Sequence, residues 1–341
     1  MKKTLSYDDV LLVPQYSDIK SRSDVSLESK LGNNLVLNVP IFSSPMDTIS
    51  EAPMAVAMSN YGGSAIIHRY NSIEEQVNIV NLAQDVGCSV NIGAAVGISD
   101  DYLLRAKTLK KAGANFICVD VAHGHHILMK EALNALREEL GDSFHIMAGN
   151  VATLQGVNDL ADWGANSVRC NIGGGSICST RIQTGHGLPG LETIFECAKT
   201  DRSVAIIADG GIKNSGDMVK ALAAGADAVM CGSIFSGTDE TPGKIIEESD
   251  GTRWKTYRGM ASKEAQVNWR GKYSSHEGVS TRVPYRGSVN RLLEDLERGI
   301  RSGLSYSGAR SIPELQSKAE FVIQTSSGLG ESKTHILNRA W

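Results

Sequence analysis

The chain has 341 residues, of which 41% are hydrophobic and 6% aromatic, and it carries a formal net charge of −4 at pH 7. The negative charge argues against a nucleic-acid-binding surface, and no apolar run is long enough to span a membrane. The first residues lack the apolar core of a signal peptide, and the six cysteines show no Cys-x-x-Cys spacing. We therefore expect a cytoplasmic protein with reduced thiols, without disulfides or zinc.

Short apolar runs alternate with helix-length segments along most of the chain. Continuous apolar strands between amphipathic helices indicate parallel βαβ units that are buried on both faces. The predicted strands are 39–42, 64–68, 89–92, 116–121, 145–147, 167–172, 204–208 and 226–231. The predicted helices include 73–84, 101–112, 127–140, 154–163, 191–199 and 215–224.

Polar and glycine residues follow the predicted strands rather than precede them, as at Ser44, Asp120, Asn150 and Asp209. In a (β/α)₈ barrel the carboxyl ends of the strands share one face, and active sites assemble there. A doubly wound open sheet explains the same alternation of elements. The eight strands and the even spread of polar strand ends favour the barrel. We predict one barrel domain over residues 1–341.

Two segments fall outside the strand–helix repeat. Residues 234–287 are charged and lack aliphatic periodicity, which is typical of a long active-site flap or a disordered segment. The segment 288–301 has helical spacing and is predicted to close the barrel. The tail, 321–341, is predicted to be weakly structured.

The stretch 172–187 combines a phosphate-type loop with a nucleophile. Three glycines, Gly173 to Gly175, free the backbone amides to approach an anion, and Ser176 adds a hydroxyl. Cys178 follows two residues later, where N–H dipoles favour a thiolate. A plain tight turn and a small buried cysteine explain the same residues. Gly210-Gly211 and Gly232-Ser233 supply further bare amides after strands seven and eight, the usual phosphate position in a barrel.

Seven short motifs occur along the chain in a fixed order: Tyr7-Asp8-Asp9-Val10-Leu11-Leu12-Val13-Pro14, Ser44-Pro45-Met46-Asp47-Thr48, Met147-Ala148-Gly149-Asn150-Val151, Gly175-Ser176-Ile177-Cys178, Ala208-Asp209-Gly210-Gly211-Ile212, Tyr257-Arg258-Gly259-Met260 and Glu277-Gly278. Over nearly its whole length the chain thereby resembles the inosine-monophosphate dehydrogenase and GMP reductase superfamily. The resemblance implies a (β/α)₈ barrel that acts on a purine nucleoside monophosphate.

The resemblance also implies a role for individual residues. Cys178 would add to purine C2, Thr180 and Glu277 would manage protons, and Lys272-Tyr273 is the nearest match to a water-activating Arg-Tyr dipeptide. The implied substrate-binding residues are Ser44, Met46, Ser176, Asp209, Gly211, Gly232, Ser233, Tyr257, Gly259 and Met260. The implied cofactor-binding residues are Asp120, Gly149 and Asn150.

The cofactor implied by the resemblance is NAD, or NADPH for a reductase. The resemblance further implies a homotetramer and a potassium site. That site would use Gly173, Gly175 and Cys178 together with Glu331 from a neighbouring subunit, since oxygen atoms suit a hard cation.

Three features depart from the dehydrogenase pattern. The CBS modules that usually follow the second strand are missing, because residues 68–89 leave room for one helix only. Lys272 replaces an arginine, and the two side chains are not equivalent. The family's Gly-Pro-Gly is Gly173-Gly174-Gly175 here, which predicts a looser loop that keeps its donors.

These departures leave the direction of the reaction open. The short flap and the missing modules point toward GMP reductase. The motifs at 43–47, 208–212 and 283–288 and the tail at 328–332 look more like the dehydrogenase. We predict an IMP dehydrogenase, with GMP reductase as the alternative. A nucleotide-binding paralogue with weak turnover and a flavin-dependent phosphate-binding barrel also stay open.

Overall fold

A computed structural model gives the fold, and it describes residues 1–32, 35–86, 91–274 and 276–334. In these residues the strands are β1 Val10–Leu12, β2 Ser29–Lys30, β3 Val36–Leu37, β4 Ile41–Ser43, β5 Ser64–Ile67, β6 Ile92–Val96, β7 Phe116–Asp120, β8 His145–Val151, β9 Ser167–Cys170, β10 Ala205–Asp209, β11 Ala228–Cys231, β12 Ile246–Glu247, β13 Arg253–Arg258, β14 Ser280–Pro284 and β15 Phe321–Ile323. The helices are α1 Ala52–Asn60, α2 Ile73–Gln84, α3 Tyr102–Lys111, α4 Ile127–Leu140, α5 Leu154–Asp162, α6 Thr180–Thr184, α7 Gly190–Cys197, α8 Ser215–Ala223, α9 Lys263–Arg270, α10 Val289–Tyr306, α11 Ile312–Lys318 and α12 Ser326–Glu331.

Strands β4 to β11 form a closed parallel barrel. Each strand pairs with the next in chain order, and β11 pairs with β4 to complete the ring. Helices alternate with the strands, and the strands are almost entirely buried, as expected where helices cover the outside of a barrel. The predicted (β/α)₈ barrel is confirmed, and the doubly wound sheet is excluded.

Apolar side chains that point inward fill the barrel. Phe42 and Phe116 pack edge to face, with their ring centroids 5.9 Å apart. Leu31, Leu35 and Leu37, from the short β2–β3 hairpin, belong to the same buried cluster. The hairpin therefore closes one end of the barrel, and polar residues gather at the other.

His145, the first residue of β8, is buried at the closed end. Its Nε2 lies 2.8 Å from Ser167 Oγ, and its Nδ1 lies 3.2 Å from the carbonyl oxygen of Gly32. Burial lowers the pKa of His145 to about 4. The imidazole is therefore neutral in the folded protein at neutral pH.

Short polar caps start the outer helices at defined residues. At α2 the Ser72 hydroxyl accepts from the Glu75 amide at 3.1 Å, and the Glu75 carboxylate accepts from the Ser72 amide at 2.8 Å. This reciprocal pair is a capping box. Asn214 caps α8 by accepting from the Asp217 amide at 2.9 Å. Such caps fix where each helix leaves the barrel rim.

The described residues of the segment 234–287 surround a small antiparallel sheet, β12–β13–β14, with α9 between its last two strands. Lys255, in β13, is buried, and its ammonium donates to the carbonyls of Thr238 at 3.0 Å and Thr241 at 2.5 Å. Burial lowers the pKa of Lys255. One of the charged side chains of this segment, that of Lys255, is thus internal.

Two sequence predictions differ from the structure. The predicted third strand, 89–92, lies partly outside the described residues, and the strand observed there is β6, Ile92–Val96. The expectation of weak structure is wrong for 321–331, because β15 pairs antiparallel with β1 and α12 follows. Residues 335–341 of the tail lie outside the described residues.

Candidate functional site

A cavity of about 330 Å³ opens at the carboxyl ends of the barrel strands. Its wall is built from the segments that follow six strands and from residues of β8 and the flap. Predicted site residues that line it are Ser44, Met46, Asp120, Asn150, Gly173, Gly175, Ser176, Cys178, Thr180, Asp209, Gly211, Gly232, Ser233, Tyr257, Gly259, Met260 and Glu277. The topology thus brings residues from eight regions of the chain into one cavity.

Short β-type pairing holds the cysteine loop against the flap. Cys178 pairs with Gly278 in an antiparallel bridge, and the Ser179 amide donates to the Glu277 carbonyl at 2.9 Å. The Val279 amide donates to the Ile177 carbonyl at 3.0 Å. This pairing sets Glu277 beside the loop although nearly one hundred residues separate them in the sequence.

Cys178, Thr180 and Glu277 form a hydrogen-bonded series. The Cys178 thiol donates to Thr180 Oγ1 at 3.1 Å, and the Thr180 hydroxyl donates to Glu277 Oε2 at 2.7 Å. All three residues line the cavity. The series offers a path for a proton between the sulfur and a carboxylate.

Cys178 differs from the other described cysteines in exposure. It is half-buried at the cavity wall, whereas Cys118, Cys170, Cys197 and Cys231 are buried. Burial raises the pKa of Cys118 to about 12 and also raises the pKa values of Cys170 and Cys231. These thiols are inert core residues, and Cys88 lies outside the described residues. Cys178 is therefore the candidate nucleophile.

The turns after β10 and β11 form a concave wall of backbone and hydroxyl groups. Gly211 has a φ of +74°, and a Cβ there would lie 3.2 Å from the Gly174 carbonyl oxygen. At Gly232 a Cβ would lie 2.9 Å from Met46 Sδ and 3.2 Å from the Tyr257 hydroxyl. Glycine keeps this wall open to a ligand.

Tyr257 joins the glycine turns to the cysteine loop. Its hydroxyl hydrogen-bonds with Ser176 and Ser233, and burial raises the pKa of Tyr257 to about 12. The hydroxyl therefore stays protonated and can donate to an anion. With Ser176 and Ser233 it completes a set of neutral donors suited to phosphate.

Arg169 bridges two carboxylates on the cavity floor. Its Nη1 donates to Asp120 at 2.5 Å, and its Nε and Nη2 donate to Asp209 Oδ2 at 3.1 and 2.8 Å. Burial lowers the pKa of Arg169, but the attraction of Asp209 and Asp120 outweighs it and holds the pKa well above its ordinary value. Asn150 Nδ2 also donates to Asp209 Oδ2, at 2.7 Å.

Sequence reasoning missed Arg169. A signal was present, because Arg169 interrupts the apolar run 167–172 that was predicted as a buried strand. A charged residue at such a position is rarely buried without a partner. The arginine fixes the orientation of Asp209 and Asp120 toward the cavity.

Arg69 and Tyr70, which follow β5, form the outer wall and were also missed. Arg69 Nε lies 3.8 Å from Asp120 Oδ2 and is buried without a hydrogen-bond partner among the described residues. Tyr70 stacks on Trp269 of α9, with the ring centroids 4.2 Å apart. The stack holds the flap helix close to the cavity mouth.

Four predicted site residues lie outside the cavity lining. Gly149 sits behind the wall, where a Cβ would come 2.6 Å from Arg169 Cβ. Lys272 and Tyr273 are exposed beyond the end of α9, and the Tyr273 ring contacts Lys263 Nζ at 4.9 Å. Glu331 ends α12 in the tail. One chain alone therefore does not bring Glu331 into this cavity.

The described residues contain neither a cluster of metal ligands nor a membrane-spanning helix. No group of three or more His, Cys, Asp or Glu side chains there is arranged to hold a metal ion. Within the same part of the chain, no helix combines the length and apolar character needed to cross a membrane.

Comparison with known proteins links the cavity to purine nucleotide enzymes. Residues 4–335 match the family model of the IMP dehydrogenase / GMP reductase domain. The chain is 33% identical to inosine-5'-monophosphate dehydrogenase of Nitrosopumilus maritimus, with 98% of both proteins covered. It is 31% identical to GMP reductase of Leishmania major, with 98% of this chain and 97% of that protein covered.

A solved structure is similar over the same extent. A GMP reductase variant from Trypanosoma brucei in complex with guanosine 5'-monophosphate matches with a TM-score of 0.93 and 30% identity, covering 98% of each chain. The alignment to the Nitrosopumilus maritimus protein spans 470 positions, whereas this chain has 341 residues. That relative therefore carries residues with no counterpart here.

Proposed function

The chain belongs to the IMP dehydrogenase and GMP reductase family of oxidoreductases, and on that premise we propose that it oxidises IMP to XMP with NAD and water. One observation carries the proposal: the series from Cys178 through Thr180 to Glu277 lines the cavity. Covalent chemistry at a purine carbon needs a nucleophile with a path for its proton. We further propose that the whole chain acts as a single catalytic domain.

The nucleotide would bind with its phosphate on the glycine turns. The amides of Gly211 and Gly232 and the hydroxyls of Ser176, Ser233 and Tyr257 would donate to the phosphate oxygens. The GMP bound by the Trypanosoma brucei relative supports a purine mononucleotide as the ligand.

The ribose and the base would occupy the rest of the cavity. The Asp209 carboxylate, held by Arg169 and Asn150, would accept from the ribose hydroxyls. Ser44, Met46, Gly259 and Met260 line the wall proposed to flank the base. The Asp47 amide donates to Met260 Sδ at 3.2 Å, which ties this wall together.

In the proposed reaction Cys178 Sγ forms a bond to C2 of IMP while the C2=N3 π bond opens onto N3, and the thiol proton passes through Thr180 and Glu277 to the solvent. A bound NAD would supply the acceptor for the hydride that leaves C2, and the C2=N3 double bond would form again. Water then displaces the sulfur from C2, and one proton of the water reaches the sulfur through Thr180 and Glu277 while the other ends on N3 of XMP. IMP, NAD and water therefore give XMP, NADH and the one proton released from the thiol.

The cavity wall around Arg69 fits a carboxamide group. Arg69 Nε is buried and has no hydrogen-bond partner within the described part of the chain, and the amide oxygen of a nicotinamide would satisfy it. Asp120 of β7 and Asn150 of β8 line the same cavity and would hold the same end of the cofactor. Gly149 would act indirectly, by leaving room for Arg169 beneath Asn150.

A second candidate, reduction of GMP by NADPH to IMP and ammonia, is favoured by the position of Lys272 and Tyr273. These residues are the nearest match to a water-activating pair, yet they lie outside the cavity lining. In that direction Glu277 and Thr180 would protonate the amino group that leaves C2.

The absorbance of the reduced nicotinamide distinguishes the two candidates. We expect it to rise when the protein is mixed with IMP and NAD, and to change little with GMP and NADPH. A fall in absorbance with GMP and NADPH, without a rise with IMP and NAD, would establish the reductase. No change in absorbance with either pair would refute the family's chemistry for this chain. Thermal stabilisation by IMP without turnover would identify the weak paralogue.

Cys178→Ala tests the role of the sulfur. We expect turnover to be abolished while IMP still stabilises the protein against heat, because the phosphate donors are intact. Cys197→Ser, in the buried core beyond the loop, is a control for loss of a thiol. Full activity of the Cys178 variant would show that this cysteine is structural.

The family resemblance also implies a subunit assembly and a cation site. We propose a cytoplasmic homotetramer in which Glu331 of a neighbouring copy joins the carbonyls of Gly173, Gly175 and Cys178 around potassium. Within one chain the Gly175 carbonyl already accepts from the Cys178 amide at 3.1 Å. Light scattering tests the assembly, and replacing potassium by sodium in the turnover assay tests the cation.

A further inference from the structure

The cysteine loop contains a side chain in the space that its central glycine leaves. A Cβ at Gly174 would lie 2.1 Å from Asn171 Nδ2 and 2.7 Å from Asn171 Cγ. No real Cβ occupies such a position without displacing its neighbour. Gly174 stands where the family's proline was expected, and the sequence predicted a looser loop. The structure instead fills the space with the Asn171 amide.

Asn171 links the cysteine loop to two other parts of the cavity. Its Nδ2 lies 3.4 Å from the carbonyl oxygen of Gly210, the turn proposed to bind phosphate. Its own carbonyl accepts from Asn150 Nδ2 at 3.0 Å, and that same amide donates to Asp209. Asn171 is only 3% exposed, so these contacts are shielded from water.

Arg181 braces the same loop from the other side. Its guanidinium donates to the Ile172 carbonyl at 3.1 Å, to the Leu188 carbonyl, and to Asn171 Oδ1 at 3.4 Å. Arg181 lies on α6 directly after Thr180. The amide oxygen of Asn171 thus contacts the helix that carries Thr180, while its nitrogen contacts the phosphate turn.

We propose that Asn171 is a positioning residue that couples occupation of the phosphate turn to the geometry of the Cys178 loop, and that it requires glycine at 174. The proposal rests on the phosphate site and the nucleophile of the proposed function. Phosphate on the turn at 210–211 would fix the Gly210 carbonyl, and the Asn171 amide would transmit that restraint to Gly174 and Cys178. A loop with only glycine flexibility has no such link.

A double-mutant cycle tests the requirement for glycine at 174. Gly174→Ala should lower kcat because the new Cβ displaces the Asn171 amide, and Asn171→Gly should lower it because the link is lost. In the double variant the clash is gone, so Gly174→Ala should lower kcat only slightly when Asn171→Gly is already present. Effects that add in the double variant would overturn the pairing of the two positions.

Alkylation of Cys178 by iodoacetamide, followed by peptide mass spectrometry, tests the coupling without turnover. Calorimetry fixes the concentration of inorganic phosphate that saturates the protein. At that concentration we expect the rate of alkylation to change about fivefold or more in the protein without substitutions. Asn171→Asp keeps the shape and the acceptor for Arg181 but cannot donate to Gly210, so its rate should not respond to phosphate. Asn290→Asp, on the exposed start of α10, is the charge control.

Each outcome decides the proposal. A phosphate response that is lost in Asn171→Asp and kept in Asn290→Asp supports the coupling, even if neither nucleotide and cofactor pair gives turnover. A response of equal size in all three proteins overturns the coupling, even if the enzyme is active. Absence of any response in the unmodified protein overturns it as well.

Discussion

Replacement of Arg169 by methionine tests whether the cavity floor depends on one buried cation. The change removes hydrogen bonds to Asp120 and Asp209 and leaves two carboxylates, 19% and 12% exposed, without their common partner. Breaking a buried ion pair from one side costs about 3–5 kcal/mol. We expect the free energy of unfolding, measured in urea, to fall by about that amount, since Asn150 still donates to Asp209.

Arg202→Met is a matched control. Arg202 also contacts two carboxylates, those of Asp162 and Asp201, but its side chain is 38% exposed. Exposed pairs contribute about 0–1 kcal/mol, so this variant should lose little stability. Equal losses of the free energy of unfolding in the two variants would refute the reasoning.

Three other predictions concern the proton path, the phosphate and the closed end of the barrel. Glu277→Gln should lower kcat about 100-fold and slow hydrolysis more than the formation of reduced nicotinamide, so the burst in stopped-flow should be larger relative to the steady-state rate; loss of the burst would contradict the role assigned to Glu277 in hydrolysis. Tyr257→Phe should raise KM for the nucleotide about tenfold, with little change in kcat, because it removes one hydrogen bond to a charged group. An unchanged KM would exclude Tyr257 from the phosphate site. The pKa of His145 is lowered from 6.5 to about 4, so its contribution is complete above the unfolded value and is lost as pH falls between these values. In His145→Gln the urea midpoint of unfolding should depend less on pH within that window. An unchanged pH dependence would show that other groups determine it.

The barrel was predictable because its signals are local. Each predicted strand is an apolar run, each helix has its own periodicity, and polar residues such as Asp120 and Asp209 follow the strands in chain order. β6 was misplaced because its three central residues, Gly93, Ala94 and Ala95, are small rather than β-branched. The need for glycine there is not local, since a Cβ at Gly93 would meet the Phe116 ring at 2.3 Å.

The charged residues of the flap and the site were harder to predict because their partners lie far away in the sequence. Lys255 reads as a solvated residue until the carbonyls of Thr238 and Thr241 surround it. Arg69 and Arg169 read as ordinary charges until the barrel places Asp120 beside both. The chemistry of a buried cation is set by partners from distant segments, and periodicity carries no information about them.

The groups proposed to hold the phosphate are all uncharged: backbone amides of the turns and the hydroxyls of Ser176, Ser233 and Tyr257. The arginines in the same lining face aspartates instead. Attraction to a lysine or arginine weakens as dissolved ions screen it, but oriented dipoles at contact distance are far less sensitive. Saturation with nucleotide should therefore vary little with the ionic strength of the surroundings.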